Sequence, residues 1–215
     1  MTIRVFLVDD HALVRTGLRM ILSAETDIEV VGEAESGEEA LPLVRKLEPD
    51  VVLCDLHLPG ISGLEVTERI VRSGLQARVL VVSVLEDGPL PKRLLDVGAH
   101  GYVGKGGDAR ELLRAVRDVA RGRRCLGRSI AENIALASVD GEGSPFDQLS
   151  TRELEVAMLL VQGLRQDTIA RRLSLSAKTI NTHKSRLFEK LGVQDTIALA
   201  RLATRYGLMD PGSSL

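Results

Sequence analysis

The chain has no tryptophan, only three phenylalanines and two tyrosines, and just two cysteines in 215 residues. So few aromatic rings leave the core to leucine, valine, isoleucine and alanine, and they argue against base stacking on single-stranded nucleic acid. Cys54 and Cys125 stand far apart with no CxxC and no histidine cluster beside them. That excludes a disulfide framework or a thiolate metal site and suits reduced thiols. No apolar run nears the roughly 18 residues of a membrane span, and no charged leader precedes Ile3. A cytoplasmic protein without a membrane partner is the expectation. Net charge is close to neutral at −2, yet residues 165–190 hold seven basic residues against two acidic ones. A local excess of this kind suits a nucleic-acid backbone, although a solvated basic helix face has the same signature.

What is present falls into two patterns. In the first half, short β-branched runs (Ile3–Val8, Ile28–Glu33, Val51–Cys54, Val79–Val82 and Gly101–Val103) alternate with amphipathic stretches near 11–23, 36–47, 63–73, 86–97 and 108–122. Continuous apolar strands without in-and-out alternation are covered on both faces, and five β–α units in series imply an α/β, doubly wound parallel sheet. Ser36 followed three residues later by Glu39 is a helix-start signal, and Ser150 with Glu153 is a second. Residues 123–146 read as a linker, with one weakly helical patch at 131–137 and the run Asp140-Gly141-Glu142-Gly143-Ser144-Pro145. From Ser150 to about Tyr206 only helical periodicity remains. A helix with Leu154, Ala157, Met158 and Val161 on one face stops at Gly163, a short helix spans Ile169–Leu173, and a longer one runs from Ala177 to Leu191.

The chemistry lies in where the acidic residues stand. Asp9 and Asp10 directly follow the first strand, and Asp55 directly follows the third. In an open parallel sheet of order 2-1-3-4-5 those strands are neighbours, and ligands bind at the carboxyl ends beside the switch point. Three converging carboxylates repel one another unless a cation sits among them. A hard divalent ion such as Mg²⁺ takes oxygen ligands and shares substrate phosphate. An Asp carboxylate beside it can act as a nucleophile toward a phosphoryl group. Ser83 and Lys105 end the fourth and fifth strands, placing a hydroxyl and an ammonium where new phosphate oxygens would lie. A lone Asp after a strand is usually a turn or helix-cap residue; four such positions on four strands are harder to explain that way.

Val8-Asp9-Asp10-His11, Asp55-Leu56-His57-Leu58-Pro59-Gly60, Ser83 and Gly101-Tyr102-Val103-Gly104-Lys105 resemble the receiver domain of two-component response regulators over residues 1–122. The resemblance implies a flavodoxin-like (CheY-like) fold. It makes Asp55 the acceptor of a phosphoryl group from a sensor histidine kinase or phosphotransfer protein. It implies a Mg²⁺ site of Asp9, Asp10, Asp55 and the backbone carbonyl of His57, phosphate contacts from Lys105 and Ser83, and a Ser83–Tyr102 switch pair. Val84 departs from the family, which more often has a small residue there; this bears on access to the phosphate and its lifetime.

In the second half, a short helix, a turn and a longer basic helix make a helix-turn-helix, whose second helix enters the major groove. Ala177, Ile180, Leu187 and Leu191 mark its inward stripe, while Lys178, Asn181, Thr182, Lys184, Ser185 and Arg186 face outward. Leu149–Glu153, Gly163, Lys178-Thr179-Ile180-Asn181-Thr182-His183 and Lys190-Leu191-Gly192-Val193 resemble the four-helix domain of NarL/FixJ (LuxR-type) regulators, here 147–210. By that resemblance Asn181, Thr182 and Ser185 face bases, and Lys178, Thr179 and Lys184 contact the backbone of double-stranded DNA. Asn181 and Gln166 differ from a common family pattern, so base preference does not carry over. Ser144–Asp147, Phe188–Leu191 and Glu86–Pro89 further resemble the GacA/UvrY branch, which implies a hybrid sensor kinase and regulation of small-RNA genes. The implied function is a phosphorylation-switched transcription regulator that dimerises on activation, and not an enzyme. Two alternatives stay open: a DNA-binding protein whose receiver acts independently of phosphorylation, and a small α/β phosphohydrolase, although no D-x-D at Asp55 and no cap insertion support the latter.

Overall fold

The computed structural model describes residues 2–56, 58–84, 90–139, 144–173, 175–206 and 208, without the side chains of 136–139 and 151. Two compact units are present: residues 1–86 with 94–132, and residues 87–93 with 133–215.

The first unit is built on one parallel sheet. Its strands are β1 (Ile3–Val8), β2 (Ile28–Ala34), β3 (Val51–Asp55), β4 (Arg78–Ser83), β5 (Gly101–Gly104) and β6 (Cys125–Leu126). They lie in the order β2-β1-β3-β4-β5-β6, so the 2-1-3-4-5 core is as the sequence implies. Helices α1 (Ala12–Ser23), α2 (Gly37–Leu47), α3 (Gly63–Arg72), α4 (Leu90–Asp96) and α5 (Ala109–Ala120) follow β1 to β5 in turn. Strand side chains alternate between the two faces. Val5, Leu7, Val51, Leu53, Leu80, Val82 and Val103 bury themselves with Leu22 of α1 and Leu112, Ala115, Val116 and Val119 of α5. Phe6 points the other way, where a Cβ on Gly32 would meet both its ring and Leu47 of α2. Helices therefore cover both faces, which is why the strands read as unbroken apolar runs.

β6 lies within the stretch read as a linker. It pairs in parallel with β5, Gly101 opposite Cys125 and Tyr102 opposite Leu126. Two residues cannot show a strand period, so no periodic signal marks it. The helical patch at 131–137 is part of a longer α6 (Arg128–Val139). Helix α4 begins at Leu90 among the described residues, and the extra N-terminal turn expected from 86 lies outside them.

The second unit carries a short 3-10 helix (Pro145–Gln148) and helices α7 (Thr151–Val161), α8 (Gln166–Arg172), α9 (Ala177–Leu191) and α10 (Thr196–Arg205). Ser150 and Glu153 form the full reciprocal capping box at α7. At α2 the expected box is half made. Ser36 Oγ accepts from the Glu39 N–H at 3.3 Å, but Glu39 reaches one residue further back, to the Glu35 N–H at 3.0 Å. The face Leu154, Ala157, Met158 and Val161 is buried, together with Ile169, Ile180, Leu187 and Leu199. Lys190 Nζ on α9 meets Glu153 Oε2 at 2.6 Å and so ties the end of α9 to the start of α7. No helix among the described residues is long and apolar enough to cross a membrane.

Candidate functional site

The strand ends bring the first group of expected residues together. Asp9 and Asp10 leave β1, Asp55 ends β3, Ser83 ends β4, and Lys105 follows β5. The Lys105 backbone N–H donates to the Ser83 carbonyl at 2.7 Å, continuing the β4–β5 ladder and aiming the lysine at β1 and β3. Its ammonium lies 2.7 Å from Asp9 Oδ2 and 3.0 Å from Asp55 Oδ2. Both carboxylates are almost wholly buried, Asp9 at 2% and Asp55 at 4% exposure. Two buried anions flank one cation, with the remaining oxygens held by backbone. Asp9 Oδ1 accepts from the His11 N–H, and Asp55 Oδ1 from the Leu56 N–H, each at 2.8 Å. Burial pushes the Lys105 ammonium toward neutrality, but its hydrogen bond to Asp9 and the charge of Asp55 outweigh that, so its pKa is raised and it stays charged. Cys54, one residue before Asp55, is inert: burial first, then the charges of Asp55 and Asp9, push its thiol far up.

Asp10 completes the carboxylate set. Oxygens of Asp9, Asp10 and Asp55 and a ring nitrogen of His11 all lie within 4.8 Å of one another, so this cluster can hold a metal ion. The set is rich in hard oxygen donors, and Asp10 Oδ1 is shut off from solvent without accepting a hydrogen bond. A carboxylate oxygen closed off from water, with a His11 ring nitrogen 2.7 Å away and two further carboxylates beside it, is a place a divalent cation would suit. His57, whose carbonyl belongs to the expected ligand set, lies outside the described residues. Ser83 and Tyr102 are both fully buried. Val84, by contrast, is 69% exposed at the rim.

Three positioning contacts were not read from the sequence. Arg15, buried on α1, donates from Nη1 to the Asp9 carbonyl at 2.6 Å and pairs through Nη2 with Glu35. Its signal was an arginine on the otherwise apolar side of the first helix. Glu38 Oε1 accepts from the Ile61 N–H at 3.1 Å, holding the loop after Asp55. Gly63 lets that loop close: a Cβ there would stand 2.0 Å from the Asp55 carbonyl oxygen.

The second group of expected residues lies on α9. Ser176 caps its N-terminus through the Thr179 N–H at 3.0 Å. Ile180 and Leu187 are buried, whereas Lys178, Asn181, Thr182, Ser185 and Arg186 are exposed. Ala177 departs from the expected inward stripe: it is the first residue of the helix and is exposed, and Leu191 is only half-buried. Thr179 is half-buried, its hydroxyl 2.8 Å from that of Ser176. Lys184 Nζ rests 5.2 Å from the centroid of the Phe188 ring, which holds the ammonium near the helix surface. The helix thus presents cationic and amide or hydroxyl side chains on one solvent face, as phosphate and base-edge contacts require.

Comparison with known proteins agrees with both halves. Residues 5–117 match the response regulator receiver domain, and residues 147–203 match the bacterial regulatory proteins of the luxR family. The chain is 46% identical over 210 residues to the response regulator GacA of Pseudomonas viridiflava, covering 97% of this chain and 98% of that protein. It is 41% identical over 208 residues to the response regulator UvrY of Escherichia coli strain K12, covering 96% and 95%. Among solved structures, RcsB of Salmonella enterica serovar Typhimurium, bound to promoter P1flhDC in the presence of phosphomimetic BeF3-, superposes with TM-score 0.73 at 28% identity over 95% of this chain and 100% of that one. A carboxylate-and-lysine pocket at the strand ends, an exposed basic recognition helix and these matches agree: the chain belongs to the LuxR-family two-component response regulators, with a receiver domain and a helix-turn-helix DNA-binding domain.

Proposed function

We propose that Asp55 is the phosphoacceptor and that its modification by a sensor histidine kinase or phosphotransfer protein switches DNA binding through α9. The observation that carries this reading is the Lys105 ammonium set between the buried Asp9 and Asp55 carboxylates. One Asp55 carboxylate oxygen attacks phosphorus of the donor, the bond to the donor's imidazole nitrogen breaks, and an acyl phosphate forms. Lys105 then moves from balancing two carboxylates to balancing the new phosphate oxygens, and the buried Ser83 hydroxyl offers a further donor. Asp9, Asp10, Asp55 and the His57 carbonyl would hold Mg²⁺. When bound, the ion supplies positive charge that offsets carboxylate and phosphate. A phosphate adds about 1.5–2 negative charges, enough to bias the packing of Ser83 and of Tyr102 on β5.

On DNA, Asn181, Thr182 and Ser185 read base edges while Lys178, Thr179 and Lys184 contact the backbone. Two copies on a two-fold axis fit a roughly palindromic site. The promoter-bound RcsB with a phosphomimetic and the receiver match across residues 5–117 support this mode, in the cytoplasm, where kinase and DNA meet. Residues 1–122 serve as the receiver, 123–146 as the connection and 147–210 as the DNA-binding domain. Incubation with acetyl phosphate and Mg²⁺ tests the reading: wild type becomes labelled and Asp55→Asn does not. Equal labelling of the two would remove Asp55 from its role.

A further inference from the structure

His11 stands at the N-cap of α1, where Ser, Thr, Asp or Asn ordinarily accepts a helix N–H. Its side chain makes no such bond. The backbone carries the ring elsewhere, because the His11 N–H is fixed to Asp9 Oδ1 at 2.8 Å. Nδ1 is thereby set 2.7 Å from Asp10 Oδ1 and 3.4 Å from Asp9 Oδ1. The closer approach lacks the geometry of a hydrogen bond. Nor is it a strong ion pair, for the imidazole is 65% exposed and water screens such pairs.

The spacing has another meaning. Two donors at right angles on one ion, each with a bond of about 2.1 Å, lie about 3 Å apart. The two Nδ1 distances bracket that value, and a ring nitrogen of His11 falls within 4.8 Å of an Asp55 carboxylate oxygen as well. Lys105 leaves the arrangement intact, because it engages the Oδ2 atoms of Asp9 and Asp55 while His11 faces the Oδ1 atoms of Asp9 and Asp10.

We propose that His11 Nδ1 is a protein ligand to the divalent cation in this pocket, giving the site a nitrogen donor that favours borderline transition metals such as Zn²⁺. The inference rests on the reading of the carboxylates as a cation site and adds a ligand to it. Imidazole binds Zn²⁺ and other first-row transition ions well, whereas Mg²⁺ prefers oxygen. Zn²⁺ would then compete with Mg²⁺ more strongly than three carboxylates alone allow.

The test uses the full-length protein and Mn²⁺ as the probe. Electron spin-echo modulation of the bound ion should show a directly coordinated ¹⁴N in wild type and in His57→Ala, and none in His11→Gln. In competition titrations against Mn²⁺, His11→Gln should lower Zn²⁺ affinity by about tenfold or more while changing Mg²⁺ affinity much less. Mn²⁺ bound without a nitrogen coupling, or an unchanged Zn²⁺-to-Mg²⁺ ratio in His11→Gln, would overturn the role of His11 alone. Failure of Asp10→Asn to weaken Mn²⁺ binding would overturn the carboxylate site itself, and the His11 proposal with it.

Discussion

The acidic pocket at the strand ends and helix α9 are built from opposite kinds of placement. The pocket gathers Asp9, Asp10, Asp55, Ser83 and Lys105 from four strand ends spread over nearly a hundred residues of sequence, and most of it is buried. The helix draws its polar face from the single stretch Ala177–Leu191 and leaves it in water. A buried side chain with named partners has no substitute, so changes in the pocket should be costly and mutually dependent. Exposed side chains on one helix act nearly independently, so changes there should be small and additive.

Glycines make the sharpest contrast. Gly63→Ala places a Cβ 2.0 Å from the Asp55 carbonyl oxygen, an overlap with backbone that no rotamer relieves. It should cost about 3 kcal/mol or more and abolish Asp55 labelling. Gly192 ends α9 at φ 64° with open space around a Cβ, so Gly192→Ala should cost only about 1 kcal/mol of left-handed strain. Hydrogen exchange resolved by domain reads both, and equal costs would break the comparison.

Lys105→Met comes next. It leaves Asp9 and Asp55 buried without their shared cation, and breaking such a pair should cost about 3 kcal/mol at neutral pH. Saturating Mg²⁺ should restore part of that loss in denaturant titrations; no recovery would argue against a cation site. Because the folded Lys105 pKa is raised, its contribution in wild type is fully present below the ordinary lysine range. It fades as pH climbs through the raised value.

The DNA-binding domain has the mirror-image dependence. Burial pushes the Glu153 carboxyl up, but the Lys190 hydrogen bond and the Ser150 N–H outweigh it, so its pKa is lowered. The α7–α9 tie is therefore present above the ordinary glutamate range and lost as pH falls through the lowered value. Glu153→Gln keeps an acceptor for the cap but loses the charge pair. It should cost about 1 kcal/mol at neutral pH, measured as lost protection in α7 and α9 only, with the difference from wild type vanishing as pH falls through the lowered Glu153 value.

The smallest effects belong to the exposed face. Lys178→Ala should weaken binding to all DNA sequences alike and reduce the salt slope by about one. Asn181→Ala should relax preference at one base pair by about 1 kcal/mol. A Lys178→Ala protein with altered base preference and an unchanged salt slope would reverse the assignment of the two residues.

The same contrast governs what could be read from sequence. Asp9, Asp10, Asp55, Ser83 and Lys105 were legible because each follows an apolar run, and the order of a parallel sheet then dictates their meeting. Ile180 and Leu187 were legible from helical period alone. β6 escaped because Cys125–Leu126 is too short to have a period and exists only through pairing with β5. Ala177 was misplaced because period says nothing about whether the first residue of a helix is covered. Arg15, Glu38 and the imidazole of His11 escaped because their roles depend on distances to residues in other segments or on side-chain direction, and no spacing encodes those.

The central claim is that an anion formed at Asp55 is felt by α9. Titrating one promoter fragment with the full-length protein before and after acetyl phosphate treatment, alongside Asp55→Asn, tests it directly. The account predicts tighter binding after treatment for wild type and one unchanged affinity for Asp55→Asn. Wild-type affinity that stays the same once labelling is complete would contradict it.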